Sequence, residues 1–70
     1  MKTIKIIDCN NEEQNLNVNF IYNISQFNPG FKQPMITTIS LHHKGDEHPF
    51  STFKTYESVN SLLLRLETYN

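Results

Sequence analysis

Three histidines and two carboxylates lie close together in the second half of the sequence, and their residue types could bind a metal. His42 and His43 are adjacent, and His48 follows the acidic pair at 46–47. Two imidazoles and a carboxylate can hold zinc. The spacing is poor, however, because adjacent residues of a strand point to opposite faces and no standard zinc motif is present. We interpret residues 42–48 as a polar hairpin tip and predict neither a metal site nor a cofactor.

Cys9 is the other residue whose side chain could do chemistry. A thiol with a histidine as its base can be a nucleophile, but the sequence identifies neither an orienting group nor oxyanion donors. Paired carboxylates and a glycine-rich phosphate loop are also missing from the sequence. We therefore predict no catalytic residue and a protein that is not an enzyme.

The length and the cysteine count limit the class of protein to which the chain can belong. Seventy residues predict one domain, 1–70, and a chain this short buries only about 60% of its unfolded surface, so its stability is marginal. One cysteine cannot form a disulfide within the chain, which fits a reducing compartment. The sequence shows neither the apolar core of a signal peptide nor an apolar run of membrane length. We expect a cytoplasmic protein that does not bind membranes.

The charge balance argues against recognition by long-range electrostatics. Six basic and seven acidic residues give a formal net charge of −1, and neither sign forms a long run. A duplex-binding domain of this size usually carries a basic stripe, so we do not expect nucleic acid as a partner. Nine asparagines and no alanine indicate an AT-rich coding sequence, which is typical of a low-GC bacterium or its phages.

Two strands are predicted in the first third of the chain. Residues 2–9 alternate, with Ile4 and Ile6 on one face. After a polar turn, apolar residues fall on every second position from Leu16 to Ile24, a pattern typical of a half-buried strand. The inward-facing set of this second strand is predicted to be Leu16, Val18, Phe20, Tyr22 and Ile24.

Two further strands follow a loop at residues 28–34, which contains two prolines and a glycine. The third strand is predicted over 35–43. A turn at 44–47 leads to the fourth strand, over 50–54, and Pro49 before this strand favours an edge position. The inward-facing set of the third strand is predicted to be Met35, Thr37, Ile39 and Leu41.

The last segment, 55–69, is predicted to form an amphipathic helix. Thr55 is one candidate N-cap, and Ser58 is the other if the helix begins later. At about 100° per residue, Leu64 lies on the side opposite to the apolar stripe. The stripe is predicted to consist of Val59, Leu62, Leu63, Leu66 and Tyr69.

These elements predict an α+β fold, in which a four-stranded antiparallel meander carries one C-terminal helix on one face (ββββα). A single helix covers only one side of such a sheet. The other side is then open to water or to a partner, and polar, uncharged asparagines suit that face.

Apolar residues outside the expected core mark a candidate partner-binding surface. Ile21 and Ile36 fall on the open face, where they meet if their strands are neighbours. Phe27 and Phe31 either fold back over the core or stay exposed as anchors. Several such residues can merge into a patch, and a patch marks an interface. The predicted partner-binding set is Ile7, Ile21, Phe27, Phe31, Ile36 and Leu64.

Three hypotheses for the function follow from these sequence features. The first is a small non-catalytic protein-binding module that regulates or inhibits a partner protein by occlusion, such as a phage or mobile-element regulator of a host enzyme. Its partner is another protein, either a different chain or a second copy in a homodimer. The alternatives are a weak single-stranded nucleic-acid-binding protein, which stacks bases on sheet aromatics, and a histidine-based metal-binding protein.

Overall fold

The chain forms five antiparallel strands and a C-terminal helix within residues 2–68, the part of the chain that the computed structural model describes. The fold is α+β, as the sequence predicts. In chain order the elements are β1 (Thr3–Ile7), β2 (Glu13–Asn17), a 3₁₀ turn (Val18–Phe20), β3 (Ile21–Phe27), β4 (Ile36–Leu41), β5 (Ser51–Thr55) and α1 (Val59–Glu67).

The strands are divided between two sheets, so the predicted single four-stranded meander is wrong. β1 and β2 form a hairpin, and β3, β4 and β5 form a three-stranded sheet with β4 in the middle and β3 at one edge. Ile4 lies opposite Leu16 in the first sheet, and Ile39 lies opposite both Ile24 and Phe53 in the second. These residues belong to one hydrophobic cluster, so the two sheets share a core.

The 3₁₀ turn divides the segment that the sequence presents as one long strand. The Asn17 side chain caps this turn by accepting a hydrogen bond from the Asn19 amide at 2.9 Å, an arrangement that asparagine favours. This turn, together with a register shift between Ile21 and Asn23, resets the alternation of side chains. Tyr22 is therefore 72% exposed, and Ile21 packs against the core. The sequence predicted the reverse for both residues.

An isolated antiparallel bridge between Asp8 and Thr55 connects the two sheets. The Cys9 amide donates to the Lys54 carbonyl at 2.9 Å, and the Thr55 hydroxyl donates to the Ile7 carbonyl at 2.7 Å. Thr55 is 1% exposed. It is a buried connection between β1 and β5 and not the helix cap.

The helix begins after the second of the two predicted N-caps. Ser58 accepts a hydrogen bond from an amide of the first helical turn at 3.1 Å, as N-cap serines do. Leu62 is buried and Leu66 packs against the core, whereas Leu63 is 45% exposed, so the apolar stripe is narrower than predicted. Tyr69, the last predicted member of the stripe, lies outside the described residues. No helix within residues 2–68 has the length and apolar character needed to span a membrane.

The core is small and combines residues from both sheets and the helix. The inward-facing positions of β4 include Thr37 and are buried as predicted, whereas Met35 precedes the strand and is exposed. The buried hydrophobic residues are Ile4, Ile6, Leu16, Ile39, Leu41 and Leu62, and the partly buried residues packed around them are Val18, Phe20, Ile21, Ile24, Phe53 and Leu66.

The Asp8 carboxylate organises the turn between β1 and β2. One carboxylate oxygen accepts hydrogen bonds from the amides of Asn10 and Glu12 at 2.9 and 3.0 Å, and the other accepts one from the Gln14 side chain at 3.0 Å. Asn11 takes a φ of 64°, which asparagine tolerates better than most residues. The bonds from the Glu12 amide and the Gln14 side chain hold the pKa of Asp8 below its ordinary value of 3.8, because they favour the charged form.

We predict that Leu62→Ala costs about 2–5 kcal/mol of unfolding free energy, because Leu62 is the buried helical residue of the core. A domain of this size holds only about 3–5 kcal/mol in total, so the variant should be largely unfolded. Leu64→Ala, the matched control on the exposed side of the same helix, should cost no more than about 0.5 kcal/mol. Urea denaturation followed by circular dichroism measures both, and equal losses would show that the helix packs in another orientation.

We predict that Asp8 contributes stability that is complete above pH 3.8 and is lost as the pH falls through its lowered folded-state pKa. Stability falls as the pH falls because the folded state binds the proton less readily than the unfolded state does. The difference in melting temperature between the protein and Asp8→Asn should therefore shrink as the pH is lowered from about 6 to about 2. Glu47→Gln, at the hairpin tip, controls for the loss of one negative charge, and a pH-independent difference for Asp8→Asn would contradict the prediction.

Candidate functional site

Within residues 2–68, exposed large hydrophobic side chains outnumber the fully buried ones, although six partly buried residues also pack against the core. Nine are exposed, against six buried core residues. Single exposed apolar residues are ordinary in globular proteins, but larger apolar patches mark interaction sites. The exposed set is Ile7, Tyr22, Phe27, Phe31, Met35, Phe50, Tyr56, Leu63 and Leu64.

The residues predicted to bind a partner do not form one surface. Leu64 is 65% exposed on the exterior of α1, where the helical phase places it. Ile21 lies opposite Leu41 at one end of the β3–β4 ladder, whereas Ile36 lies opposite Phe27 at the other end. The predicted meeting of Ile21 and Ile36 is therefore wrong, and the binding role of each residue stays a prediction.

The first surface, here the Phe27 patch, consists of Phe27, Ile36 and Lys54, and Phe31 lies in the loop between β3 and β4. Phe27 and Ile36 are a cross-strand pair, and the Lys54 Nζ lies 5.8 Å from the centroid of the Phe27 ring, within cation–π range. Phe31 is 88% exposed, and the Nζ of Lys32 lies 5.5 Å from its ring centroid. Of the two outcomes that the sequence left open for Phe31, the observed one is exposure.

The second surface, here the aromatic tip, consists of Phe20, Tyr22, His42, His43 and Phe50. Tyr22 stacks on His42, and His43 stacks on Phe50, each with ring centroids 4.2 Å apart. Phe20 meets the rings of His43 and Phe50 edge-on, at 5.4 and 5.5 Å. Both geometries are favourable for aromatic pairs. A cavity of about 460 Å³ opens beside these rings, between the 3₁₀ turn and the β4–β5 hairpin.

The histidines of the aromatic tip interact with rings and with Asp46. The Nδ1 atom of His42 lies 3.3 Å from the Asp46 carbonyl oxygen, and the Nδ1 atom of His43 lies 3.7 Å from the Asp46 carboxylate. Within residues 2–68, no group of three or more histidine, cysteine, aspartate or glutamate side chains is placed to hold a metal ion. The predicted polar hairpin tip is thus partly an aromatic cluster.

The third surface, here the β1 groove, lies between β1, the end of β5 and the helix. Its volume is about 520 Å³, within the roughly 300–1,000 Å³ typical of ligand clefts. Ile7 and Tyr56 are its exposed apolar residues, and both charge signs are present around them. The lining includes Lys5, Ile7, Asp8, Tyr56, Glu57 and Arg65.

The backbone N–H and C=O groups of successive β1 residues point alternately towards β2 and towards the β1 groove. The Asp8 amide donates to the Glu12 carbonyl at 2.9 Å, so this pair is a hydrogen-bonded pair of the antiparallel ladder. Hydrogen-bonded and non-hydrogen-bonded pairs alternate along such a ladder. Lys5 and Ile7, at the odd positions, are therefore non-hydrogen-bonded to β2, and their N–H and C=O groups point towards the groove.

Side chains from β5 and α1 engage the carbonyls on this edge of β1. The Thr55 hydroxyl donates to the Ile7 carbonyl, and the Arg65 guanidinium donates to the Lys5 carbonyl. Arg65 also forms an ion pair with Glu57, with Nη1 and Oε1 2.5 Å apart. This edge of β1 is therefore already contacted by β5 at Ile7 and by the helix at Lys5.

Sequence reasoning placed Ile7 correctly on the outward face of β1 and named Phe27 and Phe31 as candidates, but it did not identify Tyr22, Phe50 and Tyr56 as exposed. Tyr22 was predicted to point inward, Tyr56 was placed at the margin of the helical stripe, and Phe50 was not assigned to a site. A signal for Tyr22 exists in the Asn17-to-Asn19 spacing, which favours a turn inside the strand pattern. No comparable signal identifies Tyr56.

Comparison of the chain with protein families, with curated proteins and with solved structures finds no match. The function is therefore inferred from the three surfaces and from the exterior of α1.

Proposed function

We propose that this protein is a small non-catalytic protein-binding module that regulates or inhibits a partner protein by occlusion. The observation that supports this proposal is the excess of exposed over buried large hydrophobic residues within residues 2–68. Tyrosine and phenylalanine are enriched at protein interfaces, and truncation of such anchors costs more binding energy than truncation of most other contacts.

The proposed partner is another protein, and a second copy of the chain is one form that it takes. Leu63 and Leu64 are adjacent and exposed on the exterior of α1, so a two-fold contact between two helices would bury all four leucines. A different protein would use the same leucines as a contact for its own apolar groove. The AT-rich composition fits a phage or mobile-element regulator of a host enzyme that acts in the cytoplasm.

Occlusion needs only rigidity and coverage, and the fold supplies both. The apolar anchors are carried by strands, by the helix and by the ends of short connections, so they are presented without a large cost in chain entropy. A partner whose active site or assembly surface is covered by such a module loses function without any chemistry on the module. This is consistent with a chain in which we assign no catalytic residue.

We predict that Leu64→Glu keeps the fold and weakens binding to the partner by at least about tenfold, which corresponds to about 1.4 kcal/mol. Leu64 is exposed, so its replacement removes contact area and places a charge in the interface without opening the core. Thr52→Glu, an exposed position on β5 away from the helix exterior, is the matched control and should bind normally. Molar mass by light scattering tests self-association, and quantitative capture from the native cytoplasm tests another partner.

The proposed function would be contradicted if the protein is monomeric and its Leu64→Glu and Thr52→Glu variants capture the same proteins in the same amounts as the unaltered chain. Unfolding of Leu64→Glu would instead show that Leu64 is part of the core. Circular dichroism and the melting temperature of each variant distinguish these outcomes.

Single-stranded nucleic-acid binding is a second candidate, favoured by the stacked rings of the aromatic tip. Bases stack on exposed aromatic faces whatever their sequence, and Tyr22 exposes most of its surface. Under this candidate, an oligothymidylate should bind with a Kd of about 10⁻⁴–10⁻⁶ M at roughly 50 mM salt. Tyr22→Ala should weaken this binding, and Phe31→Ala, outside the tip, should not. Absence of binding at about 100 µM protein eliminates the candidate.

A further inference from the structure

The outer edge of β3 is a strand edge that the described part of the chain leaves unpaired. β3 lies at one side of the three-stranded sheet, with β4 as its neighbour. Within residues 2–68, no main-chain hydrogen bond joins β3 to an element other than β4. Five of its seven residues are exposed, whereas Ile21 and Ile24 pack against the core. An unpaired edge of this kind is a template for another strand.

The direction of the main-chain groups in this sheet follows from the contact between β5 and the end of β1. The Cys9 amide donates to the Lys54 carbonyl, so the N–H and C=O groups of Lys54 point away from β4. Thr38 lies opposite Lys54. This pair is therefore a non-hydrogen-bonded pair, and the main-chain groups of Thr38 point towards β3. The His42 amide, four residues further along, donates to the Phe20 carbonyl on the same side, as the alternation requires.

The same alternation identifies the free main-chain groups of β3. Ser25 lies opposite Thr38, so these two residues form a hydrogen-bonded pair. Ile24 and Gln26, the neighbours of Ser25, therefore direct their N–H and C=O groups away from β4. Two donors and two acceptors, spaced about 7 Å apart along the strand, are available on the outer edge.

The edge carries no charge that would oppose pairing between identical strands. β3 contains neither a charged residue nor a proline. Lys54, which shares a sheet face with Ser25, lies on β5, two strands away. In a sheet continued through β3, the two copies of Lys54 are five strand spacings apart, about 24 Å, well beyond the Debye length of about 8 Å at physiological salt. Identical copies therefore do not repel each other at this edge, and β3 has no charge that would select an oppositely charged partner.

We propose that two copies of the chain pair through β3 in an antiparallel, two-fold symmetric dimer, which joins their three-stranded sheets into one continuous sheet. The two-fold axis passes beside Ser25, so Ile24 of each copy forms a hydrogen-bonded pair with Gln26 of the other. Every outward main-chain group between Asn23 and Phe27 then has a partner. This interface is separate from the α1 exterior and does not depend on the proposed function.

The side chains of β3 suit this register. Ser25 lies opposite its own copy in a non-hydrogen-bonded pair, in which opposing side chains are closest, and both are small. Phe27 lies opposite Asn23 of the second copy, so pairing covers part of a ring that is 40% exposed. The register shift between Ile21 and Asn23 ends the regular edge and limits the pairing to residues 23–27. Because such a contact is smaller than an interface of standard size, we expect a weak dimer with a Kd of about 10–100 µM.

Sedimentation equilibrium between about 5 µM and about 1 mM chain, a range that brackets this Kd, measures the self-association. Gln26→Pro removes an outward N–H without removing a bond to β4, and edge strands tolerate proline at such positions. We expect this variant to stay folded by circular dichroism and to raise the Kd at least about tenfold. Gln26→Val, the matched control that retains the amide, should dimerise as the unaltered chain does.

A pair of charge variants tests the position of the two-fold axis. Ser25→Lys and Ser25→Glu each place two like charges directly opposite each other, which destabilises a strand pair. Each variant alone should dimerise at least about fivefold more weakly, whereas an equimolar mixture should form a heterodimer with a Kd close to that of the unaltered chain. Thr52→Lys and Thr52→Glu, on the same face of the sheet but on β5, should leave the Kd unchanged.

Amide exchange reports the pairing directly. The exchange of the Ile24 and Gln26 amides with solvent should slow at least about threefold when the chain concentration rises from about 20 µM to about 1 mM, because pairing protects them. The Glu47 amide, at the hairpin tip, should exchange at the same rate at both concentrations.

Three results would overturn the β3 dimer. The first is a chain that is monomeric at about 1 mM, ten times the weakest Kd that we expect. The second is a folded Gln26→Pro variant that dimerises normally. The third is a mixture of Ser25→Lys and Ser25→Glu that associates no better than either variant alone.

The α1 exterior and the β3 edge give different results in these experiments. If Leu64→Glu is monomeric while Gln26→Pro is dimeric, the helices form the contact and the β3 dimer is wrong. If Gln26→Pro is monomeric while Leu64→Glu changes neither the molar mass nor the captured proteins, the β3 dimer is correct and the α1 exterior is not an interface. If a monomeric chain captures a different protein and loses it in Gln26→Pro, the edge binds that protein and the dimer is wrong.

Discussion

The bridge between Asp8 and Thr55 is the interaction on which the two-sheet arrangement depends. The hairpin of β1 and β2 is joined to the three-stranded sheet by the chain through the 3₁₀ turn on one side and by this bridge on the other. The bridge is formed by main-chain groups and by the buried Thr55 hydroxyl. Ile4 and Ile6 of β1 share a hydrophobic cluster with Leu62 of the helix, and the bridge adds a main-chain connection to that shared core.

The same bridge creates the β1 groove. β5 pairs with β1 only at its end and then turns away at Tyr56 towards the helix, so the rest of this β1 edge is left for side chains of α1 to reach. Arg65 occupies part of the space by binding the Lys5 carbonyl and Glu57. One local feature therefore joins the two sheets and also forms one wall of the β1 groove.

The sequence predicted the parts of this fold that depend on local pattern. The alternation in β1 and β4 and the helix at the C-terminus were correct because side-chain periodicity decides them. The second predicted strand was wrong because the Asn17 side chain competed with the strand by capping a turn, and a turn of three residues reverses which face Tyr22 occupies. Thr55 illustrates a different limit of sequence-based prediction. Its role depends on a partner 48 residues away, and a local sequence pattern cannot predict such a contact.

Prediction of the candidate site from the sequence was limited in the same way. Exposure of Leu64 followed from the helical phase alone. The proximity of Ile7 and Tyr56 in one groove could not be predicted from the sequence, because it depends on the angle at which β5 leaves β1. Ile21 and Ile36 were expected to meet, but the register of β3 on β4 places them at opposite ends of the ladder. This register depends on the 3₁₀ turn and on the register shift in β3, neither of which was predicted from the sequence.

The edge position of β3 has a consequence for how this chain behaves in a crowded cell. β3 runs for seven residues without a lysine, a proline or any charge, and natural edge strands usually carry such features to prevent pairing between molecules. The register shift beside Tyr22 distorts one end of the strand and takes over part of that protective role. Sequence changes that remove this shift and straighten β3 would leave a longer regular edge on which two molecules could pair.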